Sequence, residues 1–133
     1  MRVFLDTNVI VSAFAARGLS ADLMRLVLAE HELLTGEVNL HELRRRLGGR
    51  FGASDEQLRD VESQLRDHTV VPRPRSPGAM KIRDPDDLWV VASATAGGAD
   101  MLVTGDRDLL EVKVEPPLPI LSPRSAWEML RAP

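Results

Sequence analysis

Short apolar runs alternate with stretches of helical periodicity along this chain, and the alternation predicts its fold. Four of these runs are predicted strands, at residues 3–5, 33–35, 69–71 and 101–104. They are continuous rather than alternately polar, which is typical of parallel strands covered on both faces. Pro117 and Pro119 confine Ile120 and Leu121 to a fifth, short strand, which we expect at a sheet edge, where a missing N–H donor is tolerated.

Apolar residues at helical spacing occupy the segments between the strands. Helices are predicted over residues 9–14, 20–31, 37–48, 54–68, 84–96 and 122–130. Ser20 and Asp84 are good N-cap residues, and Ser54 with Gln57 three residues later forms a capping box. These signals fix where the predicted helices begin.

Strands that alternate with helices predict an α/β protein, a three-layer α/β/α sandwich around a parallel sheet of about five strands. The 133 residues fit a single domain over residues 1–133, large enough to bury a core without disulfides. The sequence contains no cysteine, which excludes zinc–thiolate sites and cysteine nucleophiles. No apolar stretch is long enough for a signal peptide or a membrane span, so we expect a soluble, cytoplasmic protein.

The overall charge and the aromatic content restrict how the chain can bind nucleic acid. A formal net charge of −3 argues against binding through bulk positive charge. Tyrosine is absent and aromatic residues make up only 4% of the chain, so platforms for stacking single-stranded bases are poorly supplied. Any contact with nucleic acid is therefore expected to rest on phosphates and on shape.

Acidic residues stand where the predicted strands end. Asp6 follows the first strand and Asp106 follows the fourth. Ligands of open α/β sheets collect at the carboxyl ends of strands, so the two acids converge if these strands are neighbours at the switch point. Asp87 begins the helix that leads into the fourth strand, and the N-terminus of such a helix lies at the same edge. Glu42, about one and a half turns into the helix after the second strand, can reach this edge as well.

Four carboxylates in one crevice favour a bound cation. Each close pair repels by roughly 4 kcal/mol at about 4 Å and an effective dielectric constant near 20. Oxygen ligands without cysteine or clustered histidine select hard ions such as Mg²⁺ or Mn²⁺. One or two such ions can activate a water and stabilise a leaving oxygen, which points to cleavage of phosphodiester bonds.

Four motifs, in order along nearly the whole chain, carry a resemblance to a known family. They are Leu5-Asp6-Thr7-Asn8, then Glu42-Leu43, then Arg83-Asp84-Pro85-Asp86-Asp87 followed by Ala92 and Ala94, and finally Leu102-Val103-Thr104-Gly105-Asp106-Arg107-Asp108-Leu109-Leu110. On these residues the chain resembles a PIN domain, and most closely the VapC-like PIN toxins of bacterial toxin–antitoxin pairs. Each motif alone is weak, whereas their shared order and spacing are specific.

The resemblance implies a Mg²⁺- or Mn²⁺-dependent endoribonuclease that acts as the toxin of a toxin–antitoxin pair. Its acidic quartet would be Asp6, Glu42, Asp87 and Asp106. Asp6 and Asp87 would be the main ligands of one or two ions, and the other two acids would complete the set directly or through water. Three polar residues would orient carboxylates or the substrate phosphate, namely Thr7, Asn8 and Thr104. Family members are commonly homodimers, and an antitoxin silences them by inserting its tail into the acidic groove.

Simpler interpretations of several of these residues stay open. Asp6 or Asn8 can cap the helix that follows. Asp84 is an obvious helix cap, and we also consider it a residue that supports the metal ligands or the substrate. Glu42 stands beside three arginines and can belong to a solvated ion-pair face. Asp108 can cap a short turn or contact a metal through water.

Two groups of basic residues lie near the acids in the sequence. The first comprises Arg44, Arg45, Arg46 and Arg50, and the second comprises Arg73, Arg75, Lys81 and Arg83, in or beside a proline-rich loop predicted after residue 71. If that loop overlies the acidic crevice, several of these cations can hold RNA phosphates, in particular Arg44, Arg45, Arg73, Arg75 and Arg83. A solvated charged face is the alternative.

Three other functions compete with that of a toxin nuclease. A domain with this fold can bind RNA or a protein without catalysis, its acids serving only as caps. A PIN nuclease can also process RNA without being a toxin. A phosphotransferase with Asp6 as nucleophile is the third, but such enzymes have a second aspartate two residues on, where this chain has Asn8.

Overall fold

Five parallel strands form the central layer of the protein in a computed structural model, which describes residues 1–49, 52–78, 82–112 and 118–132. They are β1 (Arg2–Leu5), β2 (Glu32–Gly36), β3 (Thr69–Val71), β4 (Met101–Val103) and β5 (Ile120–Leu121). Their order across the sheet is β3-β2-β1-β4-β5, and every neighbouring pair is parallel. The prediction of a parallel sheet of about five strands, with β5 at its edge, is confirmed.

Seven helices are found in the described ranges, and they cover both faces of the sheet. They are α1 (Thr7–Ala15), α2 (Leu19–Glu30), α3 (Glu37–Gly49), α4 (Asp55–Arg66), α5 (Pro85–Ala96), α6 (Arg107–Leu110) and α7 (Pro123–Arg131). Val3 and Leu5 of β1 pack into the larger apolar cluster, whereas Phe4 between them packs into the other. A strand that is buried on both faces needs consecutive apolar residues, which explains the unbroken run in the sequence.

The switch point of the sheet lies at β1. The chain crosses from β1 to β2 on one side, and β4 pairs with the other side, with Leu5 aligned to Val103. This register brings the residues that follow the two strands, Asp6 and Thr104, next to each other. The backbone N–H of Asp6 donates to the carbonyl of Val103 at 3.0 Å, so the register is kept past the end of the strand.

Several predicted boundaries are confirmed and three details differ. The capping box at Ser54 is present, and Asp84 caps α5. Ser20 is not an N-cap, because α2 begins at Leu19 after Gly18, whose φ of 141° is one that glycine adopts freely. The apolar pattern that predicts α2 includes Leu28, but this side chain is 42% exposed and does not extend the buried face of the helix.

The third difference is α6, a short helix after β4 where a turn was expected. Arg50, Lys81 and Pro117, named in the sequence-based predictions, lie outside the described residues. Among the residues that the structure does describe, no helix is both long and apolar enough to cross a membrane.

Candidate active site

A cavity of about 70 Å³ opens at the carboxyl ends of β1 and β4, and we call it the acidic pocket. Six carboxylates line it: Asp6, Glu42, Asp84, Asp86, Asp87 and Asp106. The structure therefore brings together all four acids predicted as the quartet, together with Asp84. Thr7 and Asn8 also line this pocket, and Arg46 is the cation in its lining.

Asp6 is both a helix cap and a wall of the acidic pocket. Its side chain is 5% exposed, and one carboxylate oxygen accepts the backbone N–H of Thr7 at 2.8 Å, which caps α1. The other oxygen accepts the Thr104 hydroxyl at 2.8 Å and the Asn8 amide at 3.3 Å. Burial raises the pKa of Asp6 above its ordinary value although these bonds oppose the shift. The two interpretations that the sequence left open are thus compatible.

Asn39 of α3 is a site residue that sequence reasoning missed. Its side-chain amide donates to Asp6 Oδ1 at 3.1 Å and to the Thr7 hydroxyl at 3.0 Å, and the residue is 1% exposed. Asn39 stands four residues before Leu43, on the buried face of α3. A polar amide at a buried position of an amphipathic helix was the signal that could have identified it.

Asp87 and Asp106 form the second half of the pocket. Asp87 is 8% exposed, and its Oδ2 has no hydrogen-bond partner among the described residues. Burial raises the pKa of Asp87 to about 7, and the charges of Asp106, Asp84 and Asp6 and a hydrogen bond with Asp106 raise it as well. The raised pKa of Asp87 marks a place where a positive charge is favoured.

Thr104 and Asn8 connect the two halves. The Thr104 hydroxyl donates to Asp6 and accepts the backbone N–H of Asp106 at 3.0 Å. The Asn8 side-chain oxygen accepts the backbone N–H of Gly105 at 3.0 Å. These bonds fix the end of β1 against the loop that follows β4, so the two acids on these loops are held in one arrangement.

The remaining predicted acids differ in their place. The Asp84 side chain caps α5 by accepting the N–H of Asp86 at 3.0 Å, and it also lines the acidic pocket. Asp108 is exposed in the first turn of α6 and is not part of the lining, and its N–H donates to the Asp106 side chain at 2.9 Å. Glu42 lines the pocket and pairs with Arg46 at 3.1 Å, so it belongs to an ion pair as well as to the site.

The predicted phosphate-binding arginines separate into three groups. Arg44 pairs with Glu62 of α4 at 2.7 Å. Arg45 and Arg73 line a larger cavity that adjoins the acidic pocket. Arg75 and Arg83 are exposed and belong to the lining of neither cavity.

The acidic pocket fits a hard divalent ion that keeps part of its water. In the described part of the chain, no three acidic or histidine side chains are close enough to hold an ion jointly. Mg²⁺ is usually bound by one or two carboxylates and several waters, so six carboxylates around a small cavity suit it without a full set of direct ligands. Asp87 Oδ2 meets no hydrogen-bond donor in the part of the chain that the structure describes, so this buried oxygen is available to such an ion.

We expect the metal-free protein to lose stability as the pH rises from about 4 to about 7. The pKa of Asp87 is raised from 3.8 to about 7, so in this window the folded state keeps a proton that the unfolded state releases. The free energy of unfolding then falls with pH and levels off once both states are ionised. Glu37, whose pKa is lowered by its hydrogen bonds with Arg66, acts in the opposite sense but below pH 4.5.

Denaturant titrations in EDTA across this pH range measure the effect. The slope of the unfolding free energy against pH should be smaller in Asp87→Asn than in the natural protein. Identical slopes would contradict the assignment of the proton to Asp87.

The residues of the acidic pocket lie within a stretch of the chain that matches a known protein family. A family model described as PIN domain matches residues 2–108, which contain the six carboxylates of the acidic pocket. The chain belongs to the PIN domain family. The resemblance found in the sequence motifs is thereby confirmed at the level of the family.

Solved structures share the fold of this PIN domain at low sequence identity. VapBC2 from Rickettsia felis, crystallised with a DNA fragment from its promoter, is 16% identical with a TM-score of 0.63, over 92% of this chain and 98% of that chain. PAE2754 from Pyrobaculum aerophilum is 19% identical with a TM-score of 0.65, over 100% and 91%. VapBC-1 from nontypeable Haemophilus influenzae is 19% identical with a TM-score of 0.60, over 93% and 99%. No curated protein sequence matches the chain significantly. PIN domains are generally nucleases, so the family supports a hydrolase.

Proposed function

We propose that this PIN domain is a Mg²⁺- or Mn²⁺-dependent endoribonuclease. The observation that carries the proposal is the acidic pocket, in which six carboxylates surround about 70 Å³ and Asp87 keeps a proton up to a pH of about 7 because its pKa is raised. Carboxylates gathered at such a cost in repulsion favour a divalent cation. Membership of the PIN family supports nuclease chemistry at this place.

The chain's own residues would prepare the site in two ways. Asp6 and Asp87 would be the main ligands of one or two ions, and Asp106 and Glu42 would complete the set directly or through water. Thr104 and Asn39 donate hydrogen bonds to opposite oxygens of Asp6, which keep its carboxylate in one orientation. A bound ion would supply a more acidic water as the nucleophile and charge stabilisation for the leaving oxygen.

The substrate class rests on charge next to the acidic pocket. Arg45, Arg46 and Arg73 line the adjoining cavity, where they can contact the phosphates of a nucleic acid chain that passes the pocket. Thr7 and Asn8 line the acidic pocket itself and can orient the phosphate to be cleaved. The choice of RNA follows the resemblance to VapC-like toxins.

A toxin role, with an antitoxin as partner, is the finer part of the proposal. Two of the similar structures are VapBC complexes, and this chain spans 98% and 99% of the matched chains. The domain therefore has the size of the components that it resembles. We include in the proposal a homodimer in the cytoplasm that is silenced when the antitoxin covers the acidic pocket.

Cleavage of RNA under controlled metal supply tests the proposal. Purified protein should cleave single-stranded RNA with Mg²⁺ or Mn²⁺, lose this activity in EDTA, and regain it when Mn²⁺ is added back. Cleavage that continues in EDTA would contradict the metal-dependent assignment. A nuclease that cleaves RNA in vitro but leaves a bacterial host growing normally on induction would be an RNA-processing enzyme rather than a toxin. Failure to cleave under all conditions would leave a non-catalytic binding module.

A further inference from the structure

A second, larger cavity of about 510 Å³ adjoins the acidic pocket, and we call it the Trp89 cavity. The two cavities share Glu42, Arg46, Asp86 and Val90 as a common wall. A nucleic acid chain with one phosphate in the acidic pocket can therefore place a neighbouring nucleotide at this cavity. Its volume lies within the range of small-molecule sites, roughly 300 to 1,000 Å³.

The charge of the Trp89 cavity is opposite to that of the acidic pocket. Arg45, Arg46 and Arg73 face two carboxylates, those of Glu42 and Asp86. Arg46 is paired with Glu42, whereas no carboxylate of the described ranges lies within ion-pair distance of Arg45 or Arg73. Two guanidinium groups are thus available to an anionic ligand, right beside the place where a metal is expected.

The cavity also contains a cation–π pair. The Arg73 guanidinium lies 4.0 Å from the centroid of the Trp89 ring, and Val38 and Val90 provide apolar walls. Within the described ranges, Trp89 belongs to neither apolar core cluster, unlike Trp127, which packs against the larger one. Core packing therefore does not account for a tryptophan at this position. Bases in RNA complexes stack on aromatic rings and on arginine planes alike, so the pair offers such a surface.

We propose that the Trp89 cavity binds one nucleotide of single-stranded RNA beside the phosphate that is cleaved. Its base stacks on the Trp89–Arg73 pair, and Arg45 contacts its phosphate. The proposal rests on the RNA substrate of the proposed function, but it concerns binding and is tested without cleavage. From the low aromatic content we expected the protein to contact only the phosphates and the shape of a nucleic acid, and stacking on Trp89 would add a contact to a base.

Tryptophan fluorescence provides the measurement. The chain has two tryptophans, so Trp127→Phe leaves Trp89 as the only indole reporter. A short single-stranded RNA of mixed sequence, titrated in EDTA so that it stays intact, should quench this signal. The same oligonucleotide without its bases should bind more weakly and quench little, because it offers phosphates but no ring to stack.

Variants separate stacking from charge. Trp89→Ala should weaken RNA binding roughly 5- to 150-fold, which is the range for removal of one stacked base, while Trp127→Phe leaves binding unchanged. Trp89→Phe keeps an aromatic face, retains most of the affinity and guards against misfolding of the alanine variant. Arg45→Gln should reduce the slope of log K against log salt by about 0.7, because one fewer phosphate of the single strand is then neutralised by the protein.

Three outcomes would overturn the proposal. Equal binding of the intact and base-free oligonucleotides would leave only phosphate contacts. A fluorescence response to poly-glutamate and not to RNA would assign the cavity to an acidic protein partner. If Trp89→Ala cleaves RNA with metal and binds it with unchanged affinity, the protein is a nuclease but the Trp89 cavity is not a nucleotide subsite. If RNA quenches Trp89 in a base-dependent way but is never cleaved, the subsite exists and the proposed nuclease function is wrong.

Discussion

Asp87→Asn is expected to lower the rate of RNA cleavage by at least about a hundredfold while making the metal-free protein more stable above pH 7. The amide has the same shape but cannot carry the negative charge that would hold a cation. The same change removes a buried carboxylate whose pKa is raised to about 7, so folding no longer opposes its ionisation. We therefore expect the melting temperature of the metal-free variant to exceed that of the natural protein by roughly 5 °C at about pH 8.

Opposite changes in activity and stability distinguish a functional acid from a structural cap. Cleavage rates and melting curves in EDTA should be compared with those of Asp108→Asn, whose exposed side chain lies outside the acidic pocket and which should behave like the natural protein in both assays. Asp6→Asn is harder to interpret, because both oxygens of Asp6 accept hydrogen bonds. In the variant the NH₂ group would replace one of these oxygens and face a donor, which would destabilise the fold as well as the site. If Asp87→Asn cleaves normally or destabilises the metal-free fold, the assigned role of Asp87 is wrong.

Thr104→Val is expected to lower metal affinity and cleavage by about ten- to a hundredfold although Thr104 lies behind the carboxylates. Its hydroxyl donates to Asp6 at 2.8 Å and accepts the N–H of Asp106 at 3.0 Å, so it fixes both acids at once. Valine keeps the shape and removes both bonds. Asp6 would then lose the hydrogen bond that most opposes the rise of its pKa, and its charged form would become less favourable.

Thr35→Val is the matched control for this variant. Thr35 is also buried near the carboxyl end of a strand adjacent to β1, but its hydroxyl contacts the carbonyl of Leu5 at 3.3 Å rather than an acid. Mn²⁺ titrations and single-turnover cleavage should separate the two variants while their unfolding remains similar. Equal losses in both would assign the effect of Thr104 to packing.

The positions of Asp6 and Asp106 could be predicted because each follows an unbroken apolar run. A parallel strand that is buried on both faces must end where the side chains become polar, and the order β2-β1-β4 puts the two strand ends together. Asp87 was predictable for a related reason, since Pro85 and the cap at Asp84 fix the start of α5. Local signals that define element ends therefore also located these acids.

Other parts of the site depend on tertiary contacts, which local signals define only in part. The helical pattern marks Asn39 as a buried amide, but its position against Asp6 is what shows that it supports the carboxylate. Whether an arginine faces the site depends on side-chain direction, so Arg44 pairs with Glu62 whereas Arg45 lines the Trp89 cavity. The start of α2 was misplaced because Gly18 begins the helix through its backbone freedom alone, without the side-chain hydrogen bond that a serine N-cap makes.

If the acidic pocket holds a divalent cation, anomalous diffraction from crystals soaked in Mn²⁺ should locate it. We expect a Mn²⁺ peak in the pocket beside Asp6, Asp87 and Asp106, present in the natural protein and absent or much weaker in Asp87→Asn. A pocket without Mn²⁺ in the natural protein, or an equal peak in the variant, would show that these carboxylates do not form a cation site.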